Sequence, residues 1–279
     1  MINLMKKKRA NELDGKTWLR YSISIWSDLK KTKEESQIKH PAMFPTALVG
    51  RLIECFMNQD DRLVFDPFSG IGSTLIAAKE HSKDSIGIEI SPEFARITEN
   101  RLTQIMTYSW NVVKSVVYIA DSRDTLKYVG PNSVDLVITS PPYWNILLEK
   151  RTADYKEQRD YGDMVADLGK ISNYNEFLSE LHKIFEQVYI ALKPGKYCCV
   201  VVMDLRKKNR FYPYHMDVTL FMQEIGFIFD DIIIWDRRQE YNSLRPLGYP
   251  NVFRINKSHE YILIFKKPED NIDESYSAT

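Results

Sequence analysis

Leu63-Val64-Phe65-Asp66-Pro67-Phe68-Ser69-Gly70-Ile71-Gly72-Ser73-Thr74 is the stretch on which the fold turns. A short apolar run passes through Asp66-Pro67 into a glycine turn and then into a helical pattern, Ser73 to Glu80. Glycines here let the backbone pass close to a ligand and expose the N–H groups that start the helix. A dinucleotide fingerprint beginning at Gly70 needs glycine at position 75, where Leu75 stands, and the G-K-[ST] of a phosphate loop is absent. A nicotinamide or flavin site is therefore disfavoured. On its own the turn is also what any tight strand-to-helix connection requires.

Outward from this stretch, β-type runs alternate with helical patterns. Leu63–Phe68, Ser85–Ile90, Val116–Ala120, Val134–Thr139, Lys196–Met203, Phe227–Trp235 and Glu260–Phe265 read as buried strands. Helices are expected over Phe44–Met57, Ser73–Glu80, from Pro92 with Ser91 as N-cap, Tyr174–Leu192 and Met216–Ile225. The alternation predicts an α/β, doubly wound, mostly parallel seven-stranded sheet. The last two strands have no helix between them, which predicts an antiparallel strand at the sheet edge. Residues 1–20 are expected to be a flexible start, 21–267 a single domain, and 268–279 a flexible acidic tail. Two connections, Trp144 to Ser172 and Asp236 to Ser258, are long for a compact domain and point to function.

Composition narrows the classes. The 279 residues are 44% hydrophobic and 27% charged, as in ordinary globular proteins. No apolar run approaches the roughly 18 residues of a membrane helix. The basic start, Lys6 to Arg9, has no apolar stretch behind it, so neither signal peptide nor membrane association is expected, and the location expected is cytoplasmic. Cys55, Cys198 and Cys199 form no metal spacing, and adjacent strand residues face opposite ways. Buried thiols and no metal site are expected. Net charge is +0, with 38 bases and 38 acids, which argues mildly against a nucleic-acid binder. The distribution argues otherwise: Arg206, Lys207, Lys208 and Arg210 cluster without an acid, and Arg237, Arg238, Arg245, Arg254 and Lys257 face only Glu240.

Three further motifs carry chemistry. Glu89, closing the second strand beside Ile90, is placed to accept hydrogen bonds from ribose hydroxyls. Asp121-Ser122 ends the third strand; taken alone, it reads as a cap or turn. Val134 to Thr139 runs into Ser140-Pro141-Pro142-Tyr143-Trp144. The prolines lock φ and leave carbonyl acceptors, and Tyr143 offers a stacking face. Acceptors in a ring plane beside a stacking face suit a planar amine.

Together these residues resemble the amino-group DNA methyltransferases, which use S-adenosylmethionine to methylate exocyclic nitrogens of DNA bases. The resemblance implies a Rossmann-like class I methyltransferase fold. It assigns cofactor contacts to His40, Pro41, Phe44 and Pro45, to Asp66, Phe68, Gly70, Gly72, Ser73 and Thr74, to Glu89 and Ile90, and to Asp121, Ser122 and Ser140. Ser140, Pro141, Pro142 and Tyr143 match the family's catalytic tetrapeptide. Leu192-Lys193-Pro194-Gly195 and Ser258-His259-Glu260-Tyr261 resemble later structural motifs. In that family a Ser-Pro-Pro-Tyr tetrapeptide usually accompanies cytosine N4, and Asp- or Asn-Pro-Pro-Tyr adenine N6.

The implied activity is methylation of cytosine N4 in duplex DNA, with the base flipped out and the amine attacking directly. Trp144, Arg206, Lys207, Lys208, Arg210, Arg237, Arg238 and Arg245 are the expected DNA contacts. The loops 145–172, 205–216 and 236–258 would carry recognition. Double-stranded DNA is the expected partner, with a cognate restriction endonuclease as a further candidate and a monomer or homodimer as the state. The nearest rival is an adenine N6 enzyme of the same fold. An RNA or protein-amide methyltransferase and a non-catalytic DNA-binding subunit are weaker rivals. Cytosine C5 chemistry needs a nucleophilic cysteine, usually after proline, and no Pro-Cys occurs.

Overall fold

Every side chain of the strand Val134–Thr139 is buried, as a largely apolar strand covered on both faces requires, and its one acid, Asp135, is satisfied by Arg62 N, Leu63 N and Lys193. The computed structural model describes residues 9–38, 43–105, 112–145, 167–240 and 246–269. In chain order its strands are β1 (Ile25–Trp26), β2 (Leu63–Asp66), β3 (Asp84–Glu89), β4 (Ser115–Ile119), β5 (Val134–Thr139), β6 (Leu192–Val202), β7 (Leu205–Lys207), β8 (Arg210–Tyr212), β9 (Ile228–Asp236) and β10 (His259–Lys266). Its helices are α1 (Gly15–Tyr21), α2 (Lys33–Gln37), α3 (Thr46–Phe56), α4 (Ser73–Glu80), α5 (Pro92–Thr103), α6 (Tyr174–Ala191) and α7 (Tyr214–Ile225).

One sheet of eight strands runs β1-β9-β10-β6-β5-β2-β3-β4, and β7 pairs with β8 in a separate hairpin. The neighbours of β2 and β5 are all parallel. β10 alone is reversed, antiparallel to both β6 and β9. This is the expected doubly wound, mostly parallel architecture, with two corrections, the first being that the two-residue β1 makes eight strands where seven were expected. The second is that the antiparallel strand is internal, and the edge belongs to β9 and the two-residue β1. Burial explains the order. Ile262, Leu263, Ile264 and Phe265 of β10 are all buried, whereas β9 is half exposed along its length. The strand apolar on both faces goes inside.

Alternation along the strands divides the core. Cys198, Val200, Leu263 and Phe265 meet Phe177, Leu181, Ile184 and Phe185 of α6 on one face. Cys199, Val201, Ile262 and Ile264 meet Leu48, Leu52 and Ile53 of α3 on the other. The adjacent cysteines thus point to opposite faces, as expected, and burial pushes both thiols upward. Ser91 caps α5, accepting from Phe94 N, with Pro92 in the first turn.

Two other expectations need correction. The start is not flexible through residue 20. Asp14 caps α1 by accepting from Lys16 N and Thr17 N, and buried Asn11 donates from Nδ2 to Cys55 O at 2.8 Å. The segment 205–216, expected as a loop, is the β7–β8 hairpin and the first turn of α7. Among the described residues no helix is long and apolar enough to cross a membrane.

Candidate active site

The ends of β2 to β6 and the reversed start of β10 share one rim of the sheet, the side on which open α/β sheets bind ligands. Asp66 closes β2 and is buried. It accepts from Thr139 Oγ1 at 2.6 Å, Thr74 Oγ1 at 2.6 Å and Phe68 N at 3.0 Å. Burial pushes its carboxyl up to about 6 against the pull of those hydrogen bonds. Asp66 therefore braces β2, β5 and α4 from within. Glu89 closes β3 and accepts from Gly70 N and Ser91 N, each at 2.8 Å. Burial pushes it up to about 7, with the two N–H groups opposing and Asp66 and Asp167 adding.

Gly72 has φ +80°, and a Cβ there would stand 2.4 Å from Thr98 Cγ2. Its missing side chain lets α4 and α5 approach. Ser73 Oγ, beside it, is buried with no hydrogen-bond partner among the described residues. Such a group costs about 1–3 kcal/mol unless a ligand satisfies it. An orphaned hydroxyl at the glycine turn, near a buried carboxylate, fits the cofactor that the resemblance implies.

The remaining expected cofactor contacts divide. His40 and Pro41 lie outside the described residues. Phe44 is packed into the core beneath α3, and Pro45 is the N-cap position of that helix. Ile90 and Phe68 are half-buried at the rim. Ser122 Oγ donates to Pro67 O, tying the end of β4 to the turn. Asp121 accepts from Arg123 N at 2.9 Å and is gripped by the Arg123 guanidinium, which also reaches Glu180. Asp121 thus caps the turn after β4 and pairs with Arg123.

Ser140 to Tyr143 leave the end of β5. Ser140 Oγ donates to Tyr143 Oη at 3.3 Å, and Tyr143 Oη donates to Glu260 Oε2 at 2.9 Å. Glu260, buried at the start of β10, accepts from Arg237 through its other oxygen. Arg237 also holds Glu240 at 2.6 Å and lies over the Trp235 ring. Burial, helped by the Glu260 charge, raises the Tyr143 hydroxyl well above its usual range, so it stays a donor. Pro142 O accepts from Tyr214 Oη at 3.0 Å. Asp204, which follows β6, pairs with His215 Nδ1 at 2.6 Å, and His215 stacks on Tyr261.

Neither Glu260 nor Asp204 was among the expected site residues. Glu260 sits in a motif read as structural, and its partner Tyr143 is 117 residues away. No local pattern reports such a pairing.

The expected DNA contacts also need sorting. Trp144 is 6% exposed, donates from Nε1 to Ile171 O at 2.8 Å, and packs against Tyr174 and Tyr212. Lys207 covers the Trp144 ring and donates to Asn145. Arg237 is committed to Glu260 and Glu240. Trp144, Lys207 and Arg237, expected as DNA contacts, are thus each engaged by side chains of the protein itself. Arg206, Lys208 and Arg210 are exposed. Arg238 is exposed but forked with Asp236. Arg245 lies outside the described residues. Among the described residues no group of three or more His, Cys, Asp or Glu is placed to hold a metal.

Comparison with known proteins now bears on this site. The DNA methylase family model N6_N4_Mtase matches residues 2–100 and 134–278, omitting the segment that holds Asp121. The Type II methyltransferase M.MjaI of Methanocaldococcus jannaschii is 30% identical over 170 residues, 54% of this chain and 55% of its own. The Type II methyltransferase M2.MboI of Moraxella bovis is 32% identical over 115 residues, 41% of this chain and 39% of its own. A DNA modification methylase of Thermus thermophilus, solved in complex with S-adenosyl-L-methionine, is 27% identical, covering 56% of this chain and 57% of that one, with a TM-score of 0.38. The chain spans about half the length of the curated relatives it matches. With the glycine turn, Glu89 and the tetrapeptide all inside the matched segments, the chain belongs to the N6/N4 DNA methylase family of S-adenosylmethionine-dependent enzymes.

Proposed function

We propose that the protein methylates the exocyclic N4 amine of cytosine in duplex DNA, holding the base out of the helix in the cleft above Ser140–Tyr143. The observation that carries this reading is the directed chain from Ser140 through Tyr143 to Glu260. With its proton turned toward Tyr143, the Ser140 oxygen presents lone pairs and accepts a hydrogen from an amine. By the resemblance stated above, the Pro141 carbonyl supplies the second acceptor; the Pro142 carbonyl already takes a hydrogen bond from Tyr214. Two acceptors on the two amine hydrogens draw electron density onto nitrogen and localise there the lone pair that the ring otherwise shares, which points normal to the ring plane. The Tyr143 ring, tethered by its hydroxyl, gives the base a flat wall.

S-adenosylmethionine supplies an electrophilic methyl group when bound at the glycine turn. Glu89 would accept from its ribose hydroxyls, and the unpartnered Ser73 hydroxyl would be satisfied by it. The chain's own contribution to rate is positioning and polarisation, without a covalent bond to the base. Serine rather than aspartate at position 140 favours cytosine over adenine, by the resemblance stated above. Duplex DNA is the macromolecular partner, drawn by the exposed bases Arg206, Lys208 and Arg210.

The test is nucleoside mass spectrometry of mixed-sequence duplex DNA incubated with protein and S-adenosylmethionine. A 4-methylcytosine signal is the expected result. A 6-methyladenine signal would overturn the assignment of the base while leaving the cleft chemistry. Absence of both would overturn the reading.

A further inference from the structure

Away from the tetrapeptide, the outer face of the β7–β8 hairpin and the segment 253–257 enclose a groove of about 260 Å³ lined by Arg206, Phe211, Phe253, Arg254, Ile255 and Lys257. Three of the six are cations and none is acidic. Phe253 is 92% exposed, more than any other large apolar side chain among the described residues. Ile255 is also exposed, at 69%. A phenylalanine held this far into water has no folding role in view.

The segment that presents it is braced. Asn251 N and Val252 N both donate to Gly248 O, at 2.9 and 2.8 Å. Gly248 has φ +77°, and a Cβ there would collide with Val252 O. Arg254 donates to Asn209 Oδ1 at the hairpin turn, at 3.2 Å. Across the groove, Arg206 and Lys257 sit over the Phe211 ring at 5.4 and 4.8 Å. The inner face of the same hairpin rests on Trp144, the residue after the tetrapeptide. The groove is thus one hairpin's thickness from the cleft.

We propose that this groove docks duplex DNA and that Phe253 is the wedge that enters the base stack as the target base leaves it. The proposal rests on the functional reading above and deepens it. The cations match phosphates, and a projecting ring between cations suits a gap between stacked bases. A protein partner with an apolar patch would find cations where it needs apolar contact. Opening a base leaves a hole in the duplex, and filling it keeps the base out. Single strands have no such hole, so the wedge matters only for duplex.

Two measurements on the full chain test this. First, initial methylation rates are compared on mixed-sequence duplex and on the same DNA denatured. Phe253→Ala is expected to lower the duplex-to-single-strand rate ratio tenfold or more, and Phe253→Trp to restore it. An unchanged ratio would overturn the wedge. Second, fluorescence anisotropy compares an intact duplex with one carrying an abasic site. Wild type should prefer the abasic duplex, and Phe253→Ala should lose that preference; a preference retained in the variant would overturn the wedge. DNA binding with an abasic preference, but no methylation of either strand form, would sink the functional reading and leave the groove standing. No DNA binding at all would overturn the groove.

Discussion

Tyr143 has two proposed roles that different variants separate: its ring as the wall for the base, and its hydroxyl as the tether to Glu260. Tyr143→Ala and Ser140→Ala should lose turnover while S-adenosylmethionine affinity, read by calorimetry, stays within a few-fold. Tyr143→Phe keeps the ring and loses the tether. One orienting hydrogen bond is worth about 1 kcal/mol, so kcat should fall roughly fivefold with little change in KM. Full activity in Tyr143→Ala would refute the stacking wall. Glu89 gives a pH signature. Ribose hydroxyls need the carboxylate, which forms in the free protein only as pH rises through about 7. Cofactor affinity should therefore climb between pH 6 and 8, by up to about tenfold per unit below 7, and Glu89→Gln should flatten the profile. Stability of the free protein runs the other way. A raised carboxyl favours folding most below its ordinary 4.5 and loses that contribution as pH rises through about 7. The types and positions of these residues were legible in the sequence, because glycine turns and Pro-Pro-Tyr segments are local. Their partners were not: Arg123 on Asp121, Tyr214 on Pro142 and Glu260 on Tyr143 arise from packing.

At the scale of elements, legibility follows how strongly one period dominates. β5 was readable to the residue, since nothing charged interrupts it but Asp135, which is spent on Arg62 N, Leu63 N and Lys193. α6 was readable because its apolar stripe keeps helical spacing over five turns. The β7–β8 hairpin was not, because its basic residues mask a real alternation: Leu205, Lys207 and Tyr212 turn inward, and Arg206 and Phe211 outward. β1, two residues long, carries no period at all. The hairpin's seat on Trp144 is open to test. If Trp144 is core, Trp144→Ala should cost about 3–5 kcal/mol in urea denaturation, as loss of a large buried ring does. A loss of DNA affinity with stability intact would return Trp144 to the DNA face.

For the whole molecule, zero net charge conceals a division of labour. Acids such as Asp66, Glu89 and Glu260 are folded inward, and Arg206, Lys208 and Arg210 are left outside. DNA affinity should therefore fall steeply with salt despite the neutral total. Arg206→Ala should reduce the slope of log K against log[salt] by about one. An unchanged slope would remove Arg206 from the phosphate contacts.

The strand order adds a consequence at the neck of the β9–β10 connection. Asp236 pairs with His259, Arg237 N donates to Ser258 O at 2.8 Å, and the Arg237 side chain locks onto Glu260. This neck is a closed clasp at the ends of β9 and β10, and the same clasp holds Tyr143 in line. The tether of the Tyr143 hydroxyl is thereby set where two neighbouring strands close on each other, so its alignment depends on the sheet itself.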